Sequence, residues 1–254
     1  MIQTTHLTLI TGASRGMGFS MARQLLTAGH TVLGISRTAV PELDEHARHV
    51  GANVLQWEHD LSDSGSLNDK LEHWLKDSQA KAPWASVTLI NNAGVIPQIG
   101  SLDQIGEDDL ARALRVGLEA PMQITAAFLR ATDGWQAPRR VLNISSGLGR
   151  RAMASQAAYC AAKAGMDHFT RCLALEEALK PHGAKVCSLA PGVIDTGMQE
   201  QLRAADPKAF PDRDSFVGLK TGGSLTSPED AAARILAFLA RPDFGANPVA
   251  DVRD

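Results

Sequence analysis

Short apolar runs rich in β-branched residues alternate along the whole chain with longer stretches whose apolar positions recur every three or four residues. The short runs predict strands at LTLIT (7–11), TVLGIS (31–36), NVLQW (53–57), SVTLIN (86–91), RVLNIS (140–145), AKVCSLA (184–190) and PVADV (248–252). The longer ones predict helices near 17–28, 63–77, 107–131, 154–180 and 228–240. Ser227-Pro228-Glu229-Asp230 carries the cap, first-turn proline and early acids of a helix start. Strand–helix alternation of this kind implies an α/β fold, a doubly wound parallel sheet of Rossmann type with seven strands and helices on both faces. No repeat, low-complexity tract or linker interrupts it, so residues 1–254 read as a single domain. The stretch 197–226, rich in Gly, Pro and charge, reads as an excursion over a site.

Composition narrows the function classes. With 44% hydrophobic and 21% charged residues, 254 residues can bury one substantial core. A net charge of −3 provides no broad basic field for nucleic acid or an anionic membrane, and Arg139-Arg140 and Arg150-Arg151 read as solvated loop charges. No apolar run reaches the roughly 18 residues of a membrane span. The opening MIQTTHLTLITGAS lacks the basic-then-apolar layout of a secretory leader. Three widely spaced cysteines, Cys160, Cys172 and Cys187, indicate a reducing compartment, and the cytoplasm is expected. His46 and His49 stand at helical spacing without a third ligand, so a solvated helix face is the better reading and no metal is expected.

The first strand runs into TGASRGMG, with Gly12, Gly16 and Gly18 ahead of a helix. A strand, a glycine turn and a helix amino terminus present free N–H groups and a positive dipole end to a pyrophosphate. Glycine is needed where a Cβ would block close approach of backbone to phosphate. The spacing is GxxxGxG, not GxGxxG, and a tight turn without a ligand would look similar. The second strand ends in Ser36 and Arg37, with no acid before Glu42 to take the adenosine ribose hydroxyls of NAD. Arg15 and Arg37 are two guanidinium groups suited to a 2′-phosphate, which favours NADP(H); the alternative is that both are surface charges.

TGxxxGxG at 11–18, Asp60 after the third strand, NNAG at 91–94, Ser146, Tyr159 with Lys163, and PGVIDT at 191–196 follow in order. This series resembles the short-chain dehydrogenase/reductase family over nearly the whole chain. The resemblance implies an NAD(P)-dependent oxidoreductase whose glycine loop, Gly12, Ser14, Arg15, Gly16 and Gly18, together with Ser36 and Arg37, holds the cofactor phosphates. It places Asp60 and Leu61 at the adenine, Asn91, Ala93 and Gly94 along the ribose, and Pro191, Gly192, Ile194 and Thr196 by the nicotinamide. APGVIDTGMQ at 190–199 and the ending FGANPVADVRD are similar to sepiapterin reductases and related benzil reductases. In that comparison Asp251 matches a substrate-anchoring aspartate.

Tyr159 is the only tyrosine in the chain, and Lys163 follows it at i+4. Reducing a ketone requires a hydride at carbon and a proton at oxygen, and a phenol with a pKa near 10 is a sluggish donor at neutral pH. An ammonium one helical turn away favours the phenolate, and a fall of two or three units corresponds to about 3–4 kcal/mol. Tyr159 is therefore the candidate general acid, and Lys163 the residue expected to lower its pKa. The resemblance adds that Lys163 holds the ribose hydroxyls. Ser146, just beyond the fifth strand, can bond the substrate oxygen. A lone YxxxK is more often than not a surface tyrosine with an unrelated lysine; the upstream serine and glycine loop distinguish this one.

One position departs from the family pattern. Gly117 stands where an asparagine commonly completes a proton relay, so either a water fills the gap or proton delivery slows. The leading reading is NADPH-dependent reduction of a small cyclic or aromatic ketone or diketone, or a pterin-like carbonyl. The alternatives are alcohol oxidation with NAD(P)+, or an NADP(H)-binding sensor or scaffold, which Gly117 alone favours. Met198, Phe210 and Phe216 are candidates for an apolar pocket roof. By resemblance the helices near 107–131 and 154–180 pair across a two-fold, implying a homodimer or homotetramer.

Overall fold

The computed structural model describes residues 5–63, 65–81 and 83–254. Its single sheet contains seven parallel strands in the order β3-β2-β1-β4-β5-β6-β7. These are β1 (His6–Thr11), β2 (Thr31–Ser36), β3 (Val54–Glu58), β4 (Ser86–Asn91), β5 (Arg139–Ile144), β6 (Lys185–Ala190) and β7 (Val249–Asp251). All seven predicted strands form, within a residue or two of their expected limits. Strand order reverses between β1 and β4, the crevice where open α/β sheets bind ligands.

The sheet is covered on both faces because its strands carry apolar side chains on both. Leu7, Leu9, Val87, Leu89 and Val141 pack with Leu71, Leu75, Ile124 and Phe128. The opposite face sends Ile10, Val32, Ile90 and Leu142 against Met21, Leu26, Leu43 and Ile235. Phe128 is fully buried, and removing such a ring from water is worth about 1.5–3 kcal/mol. The helices of the first layer are α3 (Leu67–Lys81), α4 (Glu107–Leu114), α5 (Ala120–Ala131) and α6 (Ala157–Ala178). Those of the second are α1 (Gly16–Thr27), α2 (Pro41–Val50) and α9 (Pro228–Ala240). The Ser227 cap forms as expected, its hydroxyl accepting from Asp230 N at 3.0 Å.

Three features differ from the sequence expectation. A helix, α2, joins β2 to β3 outside the predicted helical stretches, where only His46 and His49 had read as a helix face; it buries just Leu43 and Ala47. Its signals were at the ends, in Pro41, Glu42 and Asp44 in the first turn and Gly51 in the left-handed conformation at the end (φ 68°). The helix expected over 107–131 is interrupted at Arg115–Glu119 by a π-helical turn centred on Gly117. The excursion over 197–226 contains two helices, α7 (Gly197–Ala204) and α8 (Arg213–Thr221). It is clasped at its ends by the Ile194–Thr226 bridge and by ion pairs from Asp195 to Lys220 and Arg203.

Candidate active site

At the carboxyl end of β1 the chain turns through Gly12 and Gly16, both with positive φ (71° and 54°), into the amino terminus of α1. A Cβ on Gly12 would lie 3.0 Å from Ala93 Cα, and one on Gly18 would lie 2.1 Å from Gly12 O. Gly18 is thus glycine because helix and turn touch; Gly12 and Gly16 are glycine because of their backbone angles as well. The turn is pinned from the neighbouring strand by Asn92, whose Nδ2 donates to Thr11 O at 3.0 Å and Gly12 O at 3.2 Å. Thr11 Oγ1 accepts from the amides of Asn92 (3.0 Å) and Ala93 (3.1 Å). Asn92, within the quoted NNAG motif but given no role of its own, is the staple that shapes the loop.

Facing the turn is the loop after β6. Gly192 is in the left-handed region (φ 85°), Pro191 is half-buried, Ile194 is buried, and Thr196 Cγ2 is 3.8 Å from where a Gly16 Cβ would stand. Met198, at the start of α7, lies 3.4 Å from the Cβ position of Gly94, and Lys163 Nζ 3.9 Å from it. The glycine turn, NNAG, PGVIDT and Lys163 therefore border one cleft.

Side chains around that cleft fit a dinucleotide. Ser36 Oγ is buried without a partner at the end of β2, and Ser14 is half-buried in the turn. Arg15 and Arg37 are exposed at the rim, and Arg37 lies in the field of Asp60. The Asp60 carboxyl is held below its ordinary range first by the Ser62 amide and then by the Ser62 hydroxyl, at 2.9 and 2.8 Å. Leu61 lines a cleft of about 390 Å³ with Ser62, Asp63, Arg115, Glu119 and Ala120. Asn91 differs from expectation. Its amide is buried and donates to Thr125 Oγ1 (3.0 Å) and Asn143 Oδ1 (2.8 Å), so its side chain joins β4 to β5 and α5 and does not line the cleft.

Ser146 follows β5 and accepts from Leu148 N at 3.2 Å, which fixes its hydroxyl at the start of a short 3-10 turn. The half-buried Tyr159 lies in the first turn of α6, where the Ser146 hydroxyl acts on its phenol. Lys163 Nζ lies 5.8 Å from the Tyr159 ring centre, so the two share a helix face, and it donates to Ile144 O at 2.7 Å.

Electrostatics correct one expectation. The phenol of Tyr159 is pushed above its ordinary value chiefly by burial; the Ser146 hydroxyl opposes the rise and the neighbouring Cys160 adds weakly to it. Lys163 is not among the groups that lower it. Burial brings Lys163 itself down to about 8, with Asp167 acting against the fall. Desolvation decides the sign, and the Lys163 ammonium is turned to the Ile144 carbonyl.

Other positions also depart from expectation. Asp251, the expected substrate anchor, is gripped by Arg253, with Nε donating to Oδ1 at 2.7 Å and Nη2 to Oδ2 at 2.6 Å, so its carboxylate is already occupied. Arg139 is buried beside Glu177, 3.8 Å away, and donates to His182 O at 2.6 Å; it is not a solvated charge. Arg150 pairs with the buried Asp167 at 3.2 Å. Phe210 is fully buried against Phe216, ring centres 5.5 Å apart, so it anchors the excursion and does not form an exposed roof.

A doubly wound sheet with a glycine turn at its switch point and a Ser–Tyr–Lys constellation beside it defines an NAD(P)-dependent oxidoreductase. Residues 6–207 match the short chain dehydrogenase family, and the chain belongs to it. It is 36% identical over 236 residues to "Benzil reductase ((S)-benzoin forming)" of Bacillus cereus, spanning 93% of this chain and 94% of that protein. A structure from Agrobacterium tumefaciens assigned as a 2-deoxy-d-gluconate 3-dehydrogenase, with bound NADP, is 28% identical, with a TM-score of 0.77 over 98% of this chain and 95% of that one. The 3-oxoacyl-[acyl-carrier protein] reductase from Brucella melitensis in complex with NAD shares the fold at 22% identity, with a TM-score of 0.80 over 98% and 96% of the two chains.

Proposed function

We propose that this protein is an NADPH-dependent carbonyl reductase that converts a small aromatic or cyclic ketone or diketone to an alcohol, with Tyr159 as the proton donor. The observation that carries this reading is Tyr159 on one helix face with Lys163, whose Nζ is 5.8 Å from the ring centre, with the Ser146 hydroxyl favouring the phenolate. NADPH, when bound, supplies the hydride. The residues that would hold it are the glycine turn, Leu61, Ala93, Gly94, Lys163 and the Pro191–Thr196 loop. Ser36, Arg15 and Arg37 favour a 2′-phosphate, because a buried unpaired hydroxyl and two exposed guanidinium groups suit it.

Ser146 donates a hydrogen bond to the substrate carbonyl oxygen and polarises it. As that oxygen gains negative charge, Tyr159 delivers its proton. A phenol raised above its ordinary value stays protonated through the neutral range but releases its proton less readily, so delivery depends on the negative charge gathering on the substrate oxygen. The sensor reading rests only on Gly117, and that glycine has a packing cause: a Cβ there would lie 3.0 Å from Ala162 Cβ. A diketone substrate is suggested by the benzil reductase relative. We also propose a homodimer or homotetramer and a cytoplasmic location, the latter from three free cysteines; among the described residues no helix is long and apolar enough to cross a membrane.

NADPH and NADH consumption with benzil and a panel of ketones, pterins and quinones tests the reading. Wild type should turn over benzil with NADPH in preference to NADH. Tyr159→Phe should still bind NADPH while its reduction rate falls by about 10²–10⁴. Unchanged turnover in Tyr159→Phe defeats the assignment.

A further inference from the structure

One buried carboxylate has no part in the chemistry above. Asp167 lies on α6 one turn beyond Lys163 and is 1% exposed. Its Oδ1 accepts from Ser145 Oγ at 2.6 Å and from Ser188 Oγ at 2.7 Å. Its Oδ2 faces Arg150 Nε at 3.2 Å. Arg150 Nη2 in turn donates to Ala250 O on β7 at 2.8 Å, and the next residue, Asp251, is held by Arg253. Positive and negative side chains thus alternate from the site to the carboxyl-terminal segment: Lys163, Asp167, Arg150, Asp251, Arg253. Gly149 keeps this chain compact, since its Cβ would stand 3.0 Å from both Asp167 Oδ2 and Lys163 O.

Two serine hydroxyls could be held by an uncharged amide as readily as by a carboxylate. A full negative charge at this depth is unfavourable unless cations face it, and Arg150 is a third exposed and only partly compensates it. The remaining cation is Lys163. We infer that Asp167 is a positioning residue that keeps the Lys163 ammonium charged beside Tyr159, and that Arg150 tempers this field from the β7 side. The inference rests on the proposed function, in which Lys163 helps to hold NADPH.

Asp167 acts on Lys163 in the required sense, resisting the fall that burial imposes. Among the described residues, three other titratable groups meet this chain. Tyr159 is raised by burial. Cys187 on β6 is pushed up to about 12, chiefly by burial, and stays a neutral thiol. Asp251 is held below the carboxylate range by Arg253 first and more weakly by Arg150. None of these three changes charge near pH 8, where Lys163 titrates.

Two substitutions with opposite signs test the inference. Asp167→Asn keeps an acceptor for the serines and removes the charge, so Lys163 should lose its proton earlier. The alkaline limb of kcat/KM for NADPH-dependent benzil reduction should move down by about one pH unit. Arg150→Gln leaves Asp167 uncompensated and should move the same limb up. A purely structural role would lower rates in both variants without moving the limb in opposite directions. The Lys163 Nζ signal in ¹⁵N-lysine-labelled protein, identified by its loss in Lys163→Arg, should titrate with the same two shifts. Limbs and titrations that stay in place, or that move the same way in both variants, overturn the inference. Wild type that never reduces a carbonyl sinks the proposed function instead, and the Lys163 titration still decides the Asp167 field. Should Asp167→Asn fail to fold, the upward shift in Arg150→Gln decides the matter, and its absence refutes it.

Discussion

Gly117 illustrates how little room a single residue can have. Its Cβ position is 3.0 Å from Ala162 Cβ, and Ala162 immediately precedes Lys163. Gly117→Asn should therefore destabilise the protein by about 1–3 kcal/mol, read as a lower urea midpoint with an unchanged slope. If stability is unaffected, the close approach of the π-helical turn to α6 is not what keeps glycine there. The same scale shows what could be read in advance. Tyr159, Lys163 and Ser146 were legible because reduction chemistry requires a donor, a cation and a polarising hydroxyl at these spacings. The sign of the Tyr159 shift was not, because desolvation depends on what else is packed around the phenol. Asn92 was quoted within its motif, yet its grip on Thr11 and Gly12 joins residues about 80 apart and leaves no local trace.

At the scale of elements, the α7–α8 cover is tied down by few contacts. Phe210 is buried against Phe216, Ser155 Oγ donates to Ala209 O at 2.6 Å, and Asp195 holds Lys220 and Arg203. Ser155 adopts a left-handed backbone (φ 63°) to make that contact, a conformation uncommon outside glycine, asparagine and aspartate. Phe210→Ala removes the central anchor, at a cost of about 3–5 kcal/mol. Amide exchange over 197–226 should accelerate while the sheet stays protected, and KM should rise more than kcat falls. Uniform acceleration across the sheet would mean that the cover is not a separate unit. The expected excursion was visible in composition, but its two helices were not: the Gly, Pro and charge of 197–226 read as loop although α7 and α8 carry helical patterning.

For the whole molecule, the exposed apolar residues of the first helical layer bear on assembly. Leu175 on α6 and Leu179 at its carboxyl cap are 74% and 87% exposed, and Leu114 on α4 and Met122 on α5 are 41% and 42% exposed. Leu175 and Leu179 are one turn apart and present an unpaired apolar strip. If the chain assembles through this face, the double variant Leu175→Glu, Leu179→Glu should elute as a monomer at concentrations where wild type is larger. Identical elution of the two proteins removes this face from the assembly proposal.

The alternation of strand and helix patterns determined the layered sheet by itself, because burial on both sheet faces and one helix face leaves a periodic record in the chain. Glycine turns and the Ser146, Tyr159 and Lys163 spacing were legible for a related reason: backbone angle and helical pitch are local quantities. Tertiary structure alone decided that Asn91 and Arg139 lie inside, and that Asp167 meets Ser145, Ser188 and Arg150. Those outcomes depend on which distant side chains share a volume too small for water, and no local pattern records that.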